Sequence, residues 1–120
     1  MIKECLKIVS PVTIVEINKI ITGNICAPEK TSAVTGCLSS YFYYKTKEEM
    51  ISSIVISLVK NHYFVDGNKR TALAVFLILC DKNSMKNAVT SSGKLVSIFT
   101  QLAASATDAT SAAKVLFPAQ

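Results

Sequence analysis

The longest apolar run of the chain follows directly after its most polar segment. Nine consecutive apolar residues, Ala72 to Cys80, come after the segment from His62 to Thr71. Asp66-Gly67-Asn68 is a turn sequence with strong helix formers behind it, so we predict a helix from about Asn68 to Asp81 or Lys82. Because this helix is apolar on all sides, it should be central and buried. Nine residues are far fewer than the roughly 20 needed to cross a bilayer, which excludes a membrane span.

A second predicted helix leads into the polar segment. Thr46 and Glu49 have the spacing of a capping box, so we expect a helix to begin there and to end near Lys60. Its apolar residues recur at helical spacing and should face the core: Ile51, Ile54, Val55, Leu58 and Val59. The two helices then form a hairpin that presents the polar segment between them.

The N-terminal part predicts another helix, with a strand as the alternative. Ser10 and Pro11 suit an N-cap and a first helical residue, and Gly23 suits the end of the helix. Some apolar positions follow helical spacing, namely Val12, Val15, Ile20 and Ile21. The β-branched run from Val12 to Ile17 would also suit a strand. The stretch from Thr22 to Gly36 has the composition of a surface loop.

The remaining elements are also predicted to be helical. A short helix is expected from Cys37 to Phe42, and the aromatic residues from Tyr41 to Tyr44 should pack at the core and its rim. We prefer packing to base stacking because no basic run surrounds them. Ser84 to Thr90 is loop-like, and a helix with a clear apolar face follows it, formed by Leu95, Ile98, Phe99 and Leu102. Thr107 or Thr110 should cap a last short helix that ends before Pro118.

Since every predicted element is helical, we expect an all-α fold. The length of 120 residues suits one domain, residues 1–120. We expect a compact helical bundle in which the polar segment from His62 to Thr71, the candidate active loop, lies between two central helices.

The start of the central helix carries two cations where the helix macrodipole disfavours positive charge. Lys69 and Arg70 fall in its first turn, at a cost of roughly 0.3 to 1 kcal/mol for a cation there. Backbone N–H groups, the dipole and two cationic side chains together predict an anion site, and phosphate is the commonest anion so held. Arg70 is the one Arg beside twelve Lys, and His62 is the one His. Guanidinium has the planar fork that grips phosphate oxygens.

The same residues also have a structural interpretation. Asp-Gly-Asn is a common turn and N-cap sequence, Lys69 and Arg70 can simply be solvated, and a lone His is more often structural than catalytic. Residue types alone leave the two interpretations equally weighted.

Composition excludes several other classes of protein. The cysteines at 5, 26, 37 and 80 lack C-x-x-C spacing, and one His does not complete a usual zinc site with them. Cys80 should act as a small hydrophobe. The first residues lack the apolar region of a signal peptide, so reduced thiols and a cytoplasmic location are expected. The net charge of +5 comes from scattered lysines, so a solvated surface is preferred to direct nucleic-acid binding.

The segment His62-x-Phe64-x-Asp66-Gly67-Asn68-Lys69-Arg70-Thr71-Ala72-Leu73 resembles the signature of the Fic/Doc superfamily, and specifically its Doc (death-on-curing) toxin branch. About ten linked positions carry the resemblance, which covers residues 46–83. It also favours a helix over a strand near the N-terminus. It further implies that a flap in the region of Thr22 to Gly36 positions the target peptide.

The resemblance implies a role for each matching residue. His62 corresponds to the base that takes a proton from the target hydroxyl, and Asp66 to the ligand of the Mg²⁺ that bridges the ATP phosphates. Phe64 corresponds to a buried anchor for the loop. The phosphate-binding positions comprise a backbone anion hole and an Arg, and they match Gly67, Asn68, Lys69 and Arg70. These roles suit the chemistry of a neutral imidazole, a carboxylate and a cationic first turn.

Two differences from the nucleotidyl-transferring Fic pattern indicate which phosphate is transferred. That pattern has Gly at the position of Lys69 and a second Arg at the position of Leu73. This chain resembles Doc in both differences. Doc resembles a Fic enzyme that binds ATP in reversed orientation, which implies transfer of the terminal phosphate to a threonine of elongation factor Tu and arrest of translation. Tyr63 stands where the family often has Pro.

The resemblance also implies how the activity is controlled. The sequence lacks the Ser/Thr-x-x-x-Glu-Gly/Asn pattern of self-inhibited Fic proteins, so a separate Phd-like antitoxin is expected as a partner. Two alternatives stay open: a Fic-type nucleotidyl transferase (AMPylation) that uses the same His62, and a non-catalytic anion-binding module in which His62 is structural.

Overall fold

The fold consists of five α-helices and two short 3-10 turns in the residues that the structure, a computed structural model, describes: 5–23, 34–61, 63–64, 66–86, 88–105 and 107–118. The helices are α1 (Pro11–Thr22), α2 (Lys47–Lys60), α3 (Asn68–Lys82), α4 (Ser92–Ala104) and α5 (Ala109–Leu116). These ranges contain no strand, so the all-α prediction is confirmed. The Cα radius of gyration is 13.4 Å, close to the ~13.6 Å expected for a compact chain of this length.

Helix α1 begins and ends as the sequence predicts, but only some of its apolar positions are buried. The Ser10 side chain accepts a hydrogen bond from the Thr13 N–H, and Gly23 ends the helix in the left-handed conformation, with φ 72°. Of the apolar residues selected from the sequence, Val12 and Ile20 are exposed. The face that packs inward carries Ile14, Val15 and Asn18. The apolar spacing noted in the sequence does not mark this face, because β-branched residues fill both faces of this short helix.

Helix α2 agrees closely with its prediction. The Thr46 hydroxyl accepts from the Glu49 N–H at 3.2 Å, as a capping box requires. The five residues expected to face the core are each at most 3% exposed: Ile51, Ile54, Val55, Leu58 and Val59. Helix α2 packs against α3, α4 and α5, so it forms the centre of the bundle together with α3.

Helix α3 spans its predicted range and packs against α1, α2 and α4. Phe76 at its middle is fully buried and contacts the rings of Phe99 and Phe117. The expectation of burial on all sides was too strong, because Leu77 remains 38% exposed. In a chain this small, the three helices that pack against α3 do not enclose its fifteen residues completely.

Two further local predictions need correction. The segment expected as one short helix forms two 3-10 turns, Thr35–Leu38 and Tyr41–Tyr43. Helix α5 is capped by Asp108, whose carboxylate accepts from the Ser111 N–H at 2.8 Å, rather than by Thr107 or Thr110. This bond is the main reason why the pKa of Asp108 is lowered. Helix α4 and its apolar face are as predicted, and residues 84–86 and 88–90 before it lie outside any helix or strand, as expected of a loop.

Candidate anion site at the start of α3

The predicted phosphate-binding residues come together at one pocket. Asp66 to Arg70 line a cavity of about 300 Å³, which Val59 of α2 and Ala103 of α4 complete. His62, the predicted base, and the predicted flap residues 24–33 lie outside the described residues. The pocket therefore unites the loop between α2 and α3 with the start of α3, as the helical hairpin implies.

Gly67 occupies a backbone conformation that favours glycine. It is the N-cap of α3, with φ 77° and ψ 19°, and its carbonyl accepts the Thr71 N–H at 2.8 Å. A Cβ at this position would lie 2.8 Å from Thr22 Cγ2 and 3.3 Å from Asn18 Nδ2. Both the dihedral angle and the close approach of α1 therefore require glycine here.

Asn68 holds the loop through its side chain. Its Oδ1 accepts the Phe64 N–H at 3.0 Å, and its Nδ2 donates to the Phe64 carbonyl at 2.8 Å. Phe64 is itself 4% exposed, within the hydrophobic core. The Asn68 side chain is thus committed to the loop, which leaves its backbone N–H as the group that can face an anion.

The first turn of α3 concentrates positive potential at the pocket. The N–H groups of Asn68, Lys69 and Arg70 come before the hydrogen-bond ladder of the helix, which starts with Thr71. Lys69 and Arg70 are exposed and line the pocket. Arg70 Nη2 lies 3.5 Å from Asp66 Oδ2, and both side chains are more than half exposed. Such an exposed pair contributes little stability, so a bound phosphate can compete for the guanidinium.

Asn18 is a site residue that the sequence interpretation missed. It is buried in α1, and its Nδ2 donates to the Asp66 carbonyl at 2.9 Å and to Thr71 Oγ1 at 3.0 Å. A signal was available, because Asn18 follows Ile14 by four positions and therefore lies on the buried face of α1. The apolar positions noted in the sequence, which include the exposed Val12 and Ile20, did not point to that face.

The residues on either side of His62 are anchored to α2. The Tyr63 hydroxyl lies 2.8 Å from Ser57 Oγ, and Asn61 Nδ2 donates to Ser57 Oγ at 3.0 Å. The Tyr63 hydroxyl also lies close to Gly36, where a Cβ would approach it to 3.1 Å. Tyr63 thus fixes the loop by hydrogen bonds.

A divalent cation would find one carboxylate at this pocket. No group of three or more His, Cys, Asp or Glu that could hold a metal ion occurs among the described residues. Mg²⁺ commonly binds through one or two carboxylates together with substrate phosphates and water. Asp66 fits that pattern: one oxygen accepts the Gly67 N–H and the other contacts Arg70, but a carboxylate has about four acceptor positions.

The described part of the chain is all-α, and it brings a helix N-terminus and the cationic side chains of Lys69 and Arg70 to one pocket. The Fic/DOC family model matches residues 10–80, from the N-cap of α1 to the last turn of α3 and more than half of the chain. The chain therefore belongs to the Fic/DOC family, whose members generally transfer nucleotide-derived groups to proteins and often occur in toxin-antitoxin systems. A search of curated proteins found no match. No helix in the described part of the chain is long and apolar enough to cross a membrane.

Proposed function

We propose that this protein is a Doc-like kinase that transfers the terminal phosphate of ATP to a protein hydroxyl. The observation that carries the proposal is the pocket lined by Asp66 to Arg70 at the start of α3. Phosphoryl transfer depends mainly on positioning and on stabilising the charge of the transferred group. A helix N-terminus with two cationic side chains supplies that stabilisation.

Each proposed step uses residues of the chain itself. His62 takes the proton of the target hydroxyl while the hydroxyl oxygen bonds to the terminal phosphorus of ATP. The bond from that phosphorus to its bridging oxygen breaks, and ADP leaves. Arg70, Lys69 and the N–H groups of the first turn hold the phosphate oxygens, and Asn61 and Tyr63 tie the segment around His62 to Ser57.

Asp66 is proposed to hold Mg²⁺ together with the phosphates of ATP. The ion would neutralise charge on the transferred group and on the leaving diphosphate. The contribution of Asp66 is to place one hard oxygen ligand beside the first turn of α3. The Gly67 N–H fixes the orientation of this carboxylate through its bond at 2.8 Å.

Two side chains favour terminal phosphate transfer over nucleotidyl transfer. Lys69 places a long cationic side chain at the pocket, where nucleotidyl-transferring relatives have glycine. Leu73 is partly buried against the hydrophobic core, so no second guanidinium is available at that position. We propose that Lys69 crowds one phosphate position, while the absence of the second Arg weakens the binding of phosphate at another.

The proposed target is a threonine of elongation factor Tu, and the proposed consequence is arrest of translation in the cytoplasm. A Phd-like antitoxin would restrain the activity. These assignments follow from the resemblance to Doc at Lys69 and Leu73. Direct binding to nucleic acid and to a membrane is not expected.

The proposal is tested with two labelled forms of ATP. The protein is incubated with elongation factor Tu and Mg²⁺, with the label on either the terminal or the innermost phosphate. Transfer of the terminal label alone is expected, and His62→Ala should reduce it by about 100-fold or more, because a general base contributes that much. Circular dichroism of the variant should match that of the wild type. Terminal label transferred at an unchanged rate by His62→Ala would refute the assigned base.

Nucleotidyl transfer is the second candidate, since the family generally transfers nucleotide-derived groups. Lys69→Gly distinguishes the two reactions. If Lys69 sets the orientation of ATP, this substitution should weaken terminal phosphate transfer and leave the fold intact, because residue 69 is exposed. Transfer of the innermost label by the wild type would establish nucleotidyl transfer instead. Transfer of neither label, in the purified assay and in whole-cell lysate, would favour a non-catalytic anion-binding module.

A further inference from the structure

A buried amide from outside the active loop contacts both ends of the turn that lines the pocket. Asn18 lies 48 residues before Asp66 in the chain, and it is 6% exposed. Its Nδ2 donates to the carbonyl of Asp66, just before Gly67, and to the hydroxyl of Thr71, just after the first turn of α3. Both hydrogens of this amide nitrogen are therefore engaged across the turn.

Helix α1 also forms the surface on which the turn rests. A Cβ added at Gly67 would lie only 2.8 Å from Thr22 Cγ2 and 3.3 Å from Asn18 Nδ2. The Thr22 hydroxyl donates to the Asn18 carbonyl at 2.8 Å, so the two residues are fixed together. The backbone around Gly67 thus lies directly against the last two turns of α1.

The chemistry of these contacts fixes the orientation of the amide. A backbone carbonyl can only accept, so the atom that faces Asp66 must be Nδ2. The Thr71 hydroxyl accepts the second hydrogen of Nδ2 and holds the amide in that rotamer. Thr71 is fully buried, so water does not replace this hydroxyl as a partner of Asn18.

We infer that Asn18 is a positioning residue of the phosphate site, and this inference rests on the function proposed above. Asn18 acts through the backbone of Asp66 and Gly67 and not by touching the nucleotide. By holding both ends of the turn, it sets the direction of the N–H groups of Asn68, Lys69 and Arg70. The N-terminal helix is consequently part of the machinery that binds phosphate.

A second asparagine provides a matched control. Asn83 is also 6% exposed, and its side chain bonds to the backbone of Lys7 and to the Leu79 carbonyl at 2.8 to 2.9 Å. It joins the N-terminal segment to the end of α3 far from the first turn. A purely structural asparagine should behave like Asn83, whereas a positioning residue should not.

The test measures binding of inorganic triphosphate by calorimetry, with thermal unfolding recorded for each variant. Asn18→Leu and Asn83→Leu should both lower the Tm, because each leaves buried polar groups without partners. Asn18→Leu should in addition weaken triphosphate binding by about tenfold or more. Asn83→Leu should bind triphosphate within about twofold of the wild type. Equal affinities in Asn18→Leu and Asn83→Leu would overturn the inference.

Substitutions of Thr71 keep the test decisive if Asn18→Leu does not fold. Thr71→Ser retains the hydroxyl and should bind as the wild type does, while Thr71→Val removes the acceptor and should weaken binding to a smaller extent than Asn18→Leu. If both act through one contact, the double variant should match Asn18→Leu alone. Equal binding by Thr71→Ser and Thr71→Val would count against the inference.

The outcomes separate this inference from the proposed reaction. Triphosphate binding that depends on Asn18, together with no transfer of either ATP label, would refute the reaction and leave the positioning role standing. Transfer of the terminal label with an unchanged affinity in Asn18→Leu would support the reaction and refute the positioning role. A wild-type protein that does not bind triphosphate would refute the positioning role as well.

Discussion

Gly67 and Gly23 show how two glycines with the same backbone conformation make different demands. Their φ angles are 77° and 72°, so both lie in the left-handed region that other residues rarely adopt. A Cβ at Gly67 would contact α1, whereas a Cβ at Gly23 would have nothing within 4 Å. The difference between the two positions therefore isolates steric fit from backbone strain.

Gly67→Ala is expected to destabilise the fold more than Gly23→Ala does. Both variants incur the cost of a left-handed residue, about 1 kcal/mol, and Gly67→Ala adds the clash with Thr22 Cγ2 at 2.8 Å. Urea denaturation should show a loss of about 1 kcal/mol for Gly23→Ala and about 2 to 3 kcal/mol for Gly67→Ala. Equal losses would show that α1 yields to the new methyl group.

The helices differ in how their N-termini are satisfied. The side chains of Ser10, Thr46 and Asp108 cap α1, α2 and α5. Helix α3 begins instead at Gly67, where no side-chain capping bond is made within the described residues. Helix α4 also lacks a side-chain capping bond within the described residues, so α3, which carries the predicted phosphate site, is one of two helices whose first-turn N–H groups are left for another acceptor. A helix start without a side-chain cap is better suited to binding an anion than one whose N–H groups are already bonded to a capping side chain.

Helix capping gives a direct test at this scale. Thr46→Ala removes the bond to the Glu49 N–H and should destabilise the protein by about 1 kcal/mol. Ser91 is the N-cap of α4 but makes no side-chain capping bond to the described residues. Ser91→Ala is therefore the control, and it should lower the free energy of unfolding by only a few tenths of about 1 kcal/mol. Similar losses in the two variants would mean that the Thr46 hydroxyl contributes little.

The hydrophobic core joins all five helices and buries two thiols. Burial raises the pKa of Cys37 and of Cys80 from 9.0 to about 12 in each case. Both thiols stay neutral in the folded protein well above neutral pH, so they should be inert toward oxidation and alkylation. Cys5 is exposed.

Thiol labelling at pH 8 should follow that division. In a Cys26→Ser variant, used because residue 26 lies outside the described ranges, Cys5 should react rapidly and Cys37 and Cys80 should react at the rate of global opening. Stability should also fall as the pH rises from about 9 toward 12, because the unfolded thiols ionise first. Rapid labelling of Cys80 without denaturant would show that the core opens locally around α3.

The sequence alone determined the helical elements and the chemical types at the site. The capping residues of α1 and α2, the apolar face of α4 and the limits of α3 follow from local rules, because helix starts and stops depend on neighbouring residues. The linked positions from His62 to Leu73 likewise indicated the family before any fold was known. The wrong cap of α5 and the incomplete apolar spacing of α1 mark where several local candidates compete.

The tertiary structure alone decided which distant residues support the site. Asn18 meets Asp66 and Thr71 only because α1 packs against α3, and Val59 and Ala103 line the pocket because α2 and α4 also pack against α3. The demand for glycine at position 67 has in part the same origin, since the side chain of Thr22 leaves no room for a Cβ. Contacts between residues far apart in the chain depend on how whole helices pack, and local sequence patterns carry no information on that packing.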